Sequence, residues 1–281
     1  MINHRKSKLG RRIRVVVTVI AFSVAFTTFV AGQENPRLTP IQREIERQRQ
    51  RLGSLEVEER RDALMRLANL KRPEASQAAA AALSDPSPTV RVAAAHAIIF
   101  LPNQEAATLL LPLLKDKSEF VRREVVFALG ETRHPSAVSA LVDLLNRDKQ
   151  RSVRAAAAIA LGEIGDAGAV PALSQVIAGD SSKKQKSKSA EDEFVVRSAV
   201  RSLGQIGSRQ AVPVLIGALQ NESNSIDTRR EAATALGLLG DASALPALNT
   251  AFQANTDPYL SEAARAAIRE INRTKAKGAG N

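Results

Sequence analysis

The chain has no cysteine, no tryptophan, a single tyrosine (Tyr259) and three histidines among its 281 residues. Each scarcity removes a class of chemistry. Without cysteine there are no disulfides, thiolate metal sites, cysteine nucleophiles or lipid-modified cysteines behind a leader. The absence also suits an exported protein, which avoids adventitious oxidation. Aromatics make up 3% of the chain and hydrophobic residues 44%. A core must therefore be assembled from Ala, Leu, Ile and Val, which suits closely approaching helices better than sheets. Of the histidines, His4 lies near the start, His96 in a helical pattern and His134 ahead of Pro135, so a mature chain has too few for a three-histidine zinc site. No His-Glu pair, Gly-x-Ser-x-Gly or Gly-rich phosphate loop behind a strand occurs, and the Leu-Gly-x-Ile-Gly runs at 161–165 and 203–207 read as helix ends. No catalytic residue, cofactor or metal site is expected.

Acidic residues are also missing from the start, where the first is Glu34. Arg5, Lys6, Lys8, Arg11, Arg12 and Arg14 supply six of the eleven net positive charges, which leaves +5 for the rest. A basic segment, the apolar stretch Val15 to Val30 and the small residues Val30-Ala31-Gly32 form a secretory-signal pattern over residues 1–32. That stretch is sixteen residues, including Thr18, Ser23, Thr27 and Thr28, fewer than the ~20 predominantly apolar residues a spanning helix needs. Cleaved, this segment releases an exported protein, periplasmic or extracellular. Uncleaved, it anchors the chain in the membrane with the remainder outside the cytoplasm.

What is present in abundance is repetition. Leu67, Ile98, Leu129, Leu161, Leu203, Leu236 and Ile268 stand in one register, with steps of 31, 31, 32, 42, 33 and 32 residues. Units of that length cannot bury their apolar faces alone and must stack. The long step holds the polar, Lys- and Ser-rich segment 180–193, expected to be a disordered surface loop whose Lys183, Lys184, Lys186 and Lys188 keep it solvated. Each unit carries two helical patterns. In one, exemplified by Val153, Ala156, Ala157, Ala160 and Leu161, apolar residues recur at helical spacing. The other follows a glycine (Gly165, Gly207, Gly240) and a capping residue (Asp166, Ser208, Asp241), with Pro112, Pro171, Pro213 and Pro246 near its first turn. Gly130, Gly162, Gly204 and Gly237 share a further register, where a missing side chain lets helices approach. Residues 33–53 form a linker and a polar capping helix with Ile41, Ile45 and Leu52 on one face. Repeats fill 54–273, the last reduced to a single helix, and 274–281 are expected to be a disordered tail.

These residues resemble HEAT repeats, in the short Ala-rich form called phycobilisome-lyase-like. The resemblance implies an all-α fold, a right-handed α-solenoid of antiparallel helix pairs with about seven units. In that family an Asp before the second helix and an Arg within it form a ladder along the stack. The matching residues are Asp85/Arg91, Asp116/Arg122 and Asp148/Arg154, each six apart, with Arg229 retained opposite Ser223. After the insertion, Ala190 and Val196 stand at the two positions and Arg197 comes one residue late. The first unit has Ser54 and Arg60, the last Asn255 and Ser261. The ladder is expected to be continuous in the middle and broken at the insertion. Deoxyhypusine hydroxylases are similar in fold but use repeated His-Glu iron ligands, and HEAT-like DNA glycosylases use Trp, so neither chemistry carries over.

In the family the second helices line the concave side. His96, Arg123, Phe127, Ile159, Arg197, Arg201 and Arg230 lie just outside the buried stripe of those helices. Together they make a partly basic, partly apolar face for a protein or an acidic peptide. The same residues also read as solvated arginines beside core side chains. The expected function is a non-catalytic exported scaffold or adaptor acting through this concave face. Alternatives are a binder of anionic polymer, whether nucleic acid or acidic glycan, and a bilin lyase-like protein. A charge of +5 and few stacking aromatics count against nucleic acid, and the leader counts against a cytoplasmic lyase.

Overall fold

The computed structural model describes residues 38–179, 190–254 and 257–278. The chain divides into two units, Met1–Arg47 and Gln48–Asn281. Helix α1 (Pro40–Arg51), which begins in the first, opens on a reciprocal cap. Thr39 N donates to Gln42 Oε1 at 2.9 Å and Gln42 N donates to Thr39 Oγ1 at 3.2 Å, so two end groups of the backbone are satisfied at once.

The second unit is a stack of helix pairs. They are α2 (Val57–Asn69) with α3 (Pro73–Ala79), α4 (Pro88–Ala97) with α5 (Asn103–Leu110), and α6 (Glu119–Thr132) with α7 (Val138–Arg147). There follow α8 (Arg151–Ile164) with α9 (Val170–Ala178), α10 (Ala190–Ile206) with α11 (Val212–Gln220), and α12 (Ile226–Leu239) with α13 (Leu245–Ala254). The last helix, α14 (Pro258–Gly278), has no following mate among the described residues, which contain no strand.

Even-numbered helices from α2 to α14 pack each on the next, while α7, α9, α11 and α13 touch in sequence more lightly. The even-numbered helices thus form the closely packed, inner row and the odd-numbered ones from α3 the outer row. The register residues Leu67, Ile98, Leu129, Leu161, Leu203 and Leu236 are buried there, each worth roughly 2 kcal/mol relative to exposure. Ile268, on the last helix of the described residues, is half-buried.

Tight spacing depends on the glycine register. A methyl group on Gly237 would stand 2.9 Å from Ala267 Cα, and one on Gly204 would stand 3.0 Å from Ala235 Cα. Neither backbone could yield without separating the helices. Inner helices end in left-handed residues at Gly165, Gly207 and Gly240, with φ of 75°, 74° and 65°. Arg133 and Lys71 adopt the same region at φ 50° and 49°. Asp166 then accepts from Gly168 N and Asp241 from Ser243 N. His134 does the same for Ser136 N.

Four expectations are corrected. Ser208 makes no side-chain cap bond, since hydroxyls form this local turn more weakly than carboxylates. Pro171, Pro213 and Pro246 are second residues of their helices, but Pro112 sits in a 3-10 turn, Leu111–Lys115, after α5. Lacking an N–H, it cannot extend the α-helical ladder, and α5 stops at Leu110. Residues 190–193, expected in the loop, belong to α10, and the rest of that segment lies outside the described residues. Residues 274–278 are helical rather than a disordered tail, with Thr274 Oγ1 bonded to Glu270 O at 3.0 Å; long basic side chains are good helix formers and favour a helix C-terminus.

Candidate partner-binding face

The ladder runs between units. Arg60, Arg91 and Arg122 each grip an aspartate of the following unit with two parallel bonds. These are Arg60 to Asp85 at 2.7 and 2.9 Å, Arg91 to Asp116 at 2.7 and 2.8 Å, and Arg122 to Asp148 at 2.7 and 3.0 Å. The six-residue spacing is a backbone contact instead. Arg91, Arg122 and Arg154 donate through Nη1 to the carbonyls of Asp85, Asp116 and Asp148 at 2.8, 2.9 and 2.9 Å. Arg60 uses Ser54 O in the same way. Because only a carbonyl is needed on its own side, Arg60 is a full member although its unit lacks the aspartate, and its place in the arginine register was the available signal. Arg229 donates Nε to Leu219 O at 2.9 Å.

The paired side chains are between 5% and 15% exposed. Burial alone would raise the carboxyl pKa of Asp85, Asp116 and Asp148. The facing guanidinium and the N–H of Ser87, Ser118 or Gln150 outweigh it and hold each below the usual carboxylate value. This is a structural spine, with its donors and acceptors spent on one another.

Past the insertion the pattern rotates. Arg197 stands one residue after the ladder position, about 100° further round the helix, which turns it onto the inner face. Its Nη1 meets Asp227 Oδ2 at 3.0 Å, and Arg230 Nη2 meets Asp227 Oδ1 at 2.6 Å. Arg201 pairs with Glu231 through two bonds of 2.9 and 3.1 Å. Glu193 takes over the bridging task, accepting from Ser225 N and Oγ at 3.1 and 2.7 Å.

On the earlier inner helices, Arg123 Nε and Nη2 donate to Glu124 Oε1, each at 3.0 Å. His96 Nε2 lies 3.4 Å from Glu124 Oε2 across the α4–α6 boundary. Phe127 and Ile159 are half-buried one turn further on, in line with His96 and Arg201. The expected residues thus divide into a set on α4 to α8 and a set on α10 and α12.

Sequence reasoning missed the residues that organise both sets. Arg123 lies over the ring of Phe120 and Arg197 over Phe194, each 5.6 Å from the centroid, while Arg230 lies 6.0 Å from that of Tyr259. The carboxylates Glu124, Asp227 and Glu231 were also missed, and they neutralise much of the expected basicity. A signal existed in the spacing, since Phe120 and Phe194 each precede their arginine by three residues, one helical turn. Among the described residues no group of three or more His, Asp or Glu could hold a metal ion. No helix there is long and apolar enough to cross a membrane.

The chain is similar to several solved structures. Human deoxyhypusine hydroxylase is 20% identical, covering 82% of this chain and 96% of its own, with a TM-score of 0.40. The CpcE–CpcF complex of phycocyanin lyase from Nostoc sp. PCC7120 is 22% identical, covering 86% and 97%, with a TM-score of 0.48. A designed armadillo repeat protein in complex with the peptide (KR)4 is 23% identical, covering 81% and 99%, with a TM-score of 0.46. No curated protein matches the chain. The HEAT-repeat profile matches three overlapping stretches, 45–125, 108–191 and 184–269. Taken with the inner row and its forward-reaching arginines, that coverage places the chain in the HEAT-repeat family.

Proposed function

We propose that this protein is an exported, non-catalytic scaffold that holds a protein or peptide partner against its inner helices. HEAT arrays generally bind proteins or peptides, and the basic, then apolar, leader supports export. One observation carries the reading. The inner row combines half-exposed apolar side chains with arginines held at the surface, while the buried arginines of the ladder are fully engaged with structure. Pairing of those surface arginines with Glu124, Asp227 and Glu231 favours a selective protein contact over a track for anionic polymer.

The test is affinity capture from an envelope extract with the full chain, comparing wild type with Arg123→Glu/Arg197→Glu/Arg230→Glu. A control changes Arg147, exposed on the outer helix α7, to Glu. Loss of one captured partner with the triple variant alone is the expected result. An unchanged set of partners would refute the inner-face reading.

A further inference from the structure

The position three residues ahead of the surface arginine can be followed along the inner row. It is Thr89 on α4, Phe120 on α6, Ser152 on α8, Phe194 on α10, Asp227 on α12 and Tyr259 on α14. On α2 it is Glu58, and from α4 to α14 aromatic and small or polar residues alternate helix by helix. The whole chain has nine aromatic residues, eight Phe and one Tyr. Four of the described ones are exposed, and three of those four occupy this single position, Phe120 at 38%, Phe194 at 46% and Tyr259 at 71%. Burying a core explains none of these placements.

Each ring carries a guanidinium over its face. The ring and the chain's own carboxylates, Glu124 for Arg123 and Asp227 for Arg197 and Arg230, hold each guanidinium in place, so it loses little freedom on meeting a partner's carboxylate. Charge is not balanced at the C-terminal pair, where Asp227 serves both Arg197 and Arg230. One cation there has no anion to itself.

Resting on the scaffold reading above, we propose that the three aromatic–arginine pairs are the anchor points for one extended polypeptide segment of the partner. Acidic side chains of that segment meet the arginines, and adjacent apolar side chains lie against the exposed ring edges. The spacing is set by the fold. Packed helices lie about 8–10 Å apart, so the rings of Phe120, Phe194 and Tyr259, on alternate even-numbered helices, are about 16–20 Å apart, while Arg197 and Arg230 converge on Asp227 between the last two rings. A strand-like chain advances about 3.3 Å per residue, which places the apolar side chains that meet successive rings about five or six residues apart, each with an acidic neighbour.

Fluorescence anisotropy with the full chain and labelled synthetic peptides of roughly 16 residues tests this directly. One peptide carries Glu-Leu pairs at the five-to-six-residue spacing in a Gly/Ser/Thr background. A second has the same composition with the pairs at half that spacing, and a third replaces Glu by Lys. The first should bind about tenfold more tightly than either control. Phe194→Ser should weaken it about fivefold although Arg197 remains. Serine already occupies that place on α8, and thermal unfolding should confirm an intact fold. Arg197→Glu/Arg230→Glu should lose the Glu peptide and gain the Lys peptide. Equal binding of all three peptides, or unaltered binding by Phe194→Ser, overturns the proposal. Absence of peptide binding while the capture experiment still depends on the arginines overturns the anchors and leaves the scaffold standing. Failure of both removes the two together.

Discussion

The interfaces from α2 to α8 and those from α10 to α14 stack even-numbered helices in the same order with different electrostatics. Before the insertion, arginine and aspartate are drawn into the seam between units and largely withdrawn from water. After it, the arginines sit at the surface, with Arg201 60% exposed opposite Glu231. From α6 to α14, on both sides of the insertion, glycine on one inner helix meets alanine or serine on the next. Those contacts continue where the ladder stops, so the later stack does not depend on the ladder. Freed from the seam, an arginine in the second half becomes available for recognition.

The strongest way to break this contrast is Asp148→Ala, which leaves Arg122 buried without its carboxylate. A loss of about 2–4 kcal/mol is expected in chemical denaturation. Its pH dependence follows from the depressed pKa of Asp148. The stabilisation is present above the unfolded-state carboxylate value, near pH 4, and is lost as pH falls through the lower folded value. Wild type should therefore lose stability steeply below about pH 4, and the variant less so. Equal acid sensitivity would sink the assignment.

Next in size is Gly237→Ala, which forces a methyl group against Ala267 and should cost about 1–3 kcal/mol. On the outer helix α11, Gly217 has no atom within 4 Å of such a methyl. The same change there should stabilise by about 0.5–1 kcal/mol, so Tm should move in opposite directions for the two variants. Ser202→Ala sharpens the comparison at the α8–α10 boundary. The Ser202 hydroxyl is buried against Gly162 without a hydrogen-bond partner, whereas alanine fills this register at Ala128, Ala160, Ala235 and Ala267. Removing it should stabilise by about 1 kcal/mol.

Glu163→Gln is expected to stabilise at neutral pH by less than about 1 kcal/mol. Burial, then the neighbouring charge of Glu131, raises the pKa of Glu163 above its ordinary value. Ionised Glu163 thus weakens the fold as pH rises past the ordinary glutamate range, and the benefit should fade towards pH 4. Gln205 already stands at the equivalent place on α10. Smallest of all is Arg201→Ala, at about 0.5 kcal/mol or less. A loss approaching that of Asp148→Ala would erase the distinction between the halves.

The stack was legible because Leu67 through Leu236 recur at a nearly constant step and every one is buried. The glycine registers were legible for the same reason, each serving one local geometry. Other features depend on what lies beside a residue rather than before or after it in the chain. Asp85 and Arg91 look like partners at a distance of six, yet the carboxylate that Arg91 holds is Asp116. Phe120, Phe194 and Tyr259 stand two repeat steps apart, so the single-step register of the leucines does not bring them out. Their common position emerges only when the inner helices are laid side by side. Pro112 misled because it falls near the other prolines in a loose alignment, and a shift of register changes its meaning from helix start to helix stop.

The forward reach of the ladder gives this array a direction in time. Each arginine must wait for a carboxylate 25 or 26 residues further along the chain. At about 5–20 residues per second of synthesis, the leading unit holds an unanswered cation for about one to five seconds. A chain cut short after any of these arginines would end on that unanswered charge, whereas one shortened from the front would begin with a spare carboxylate.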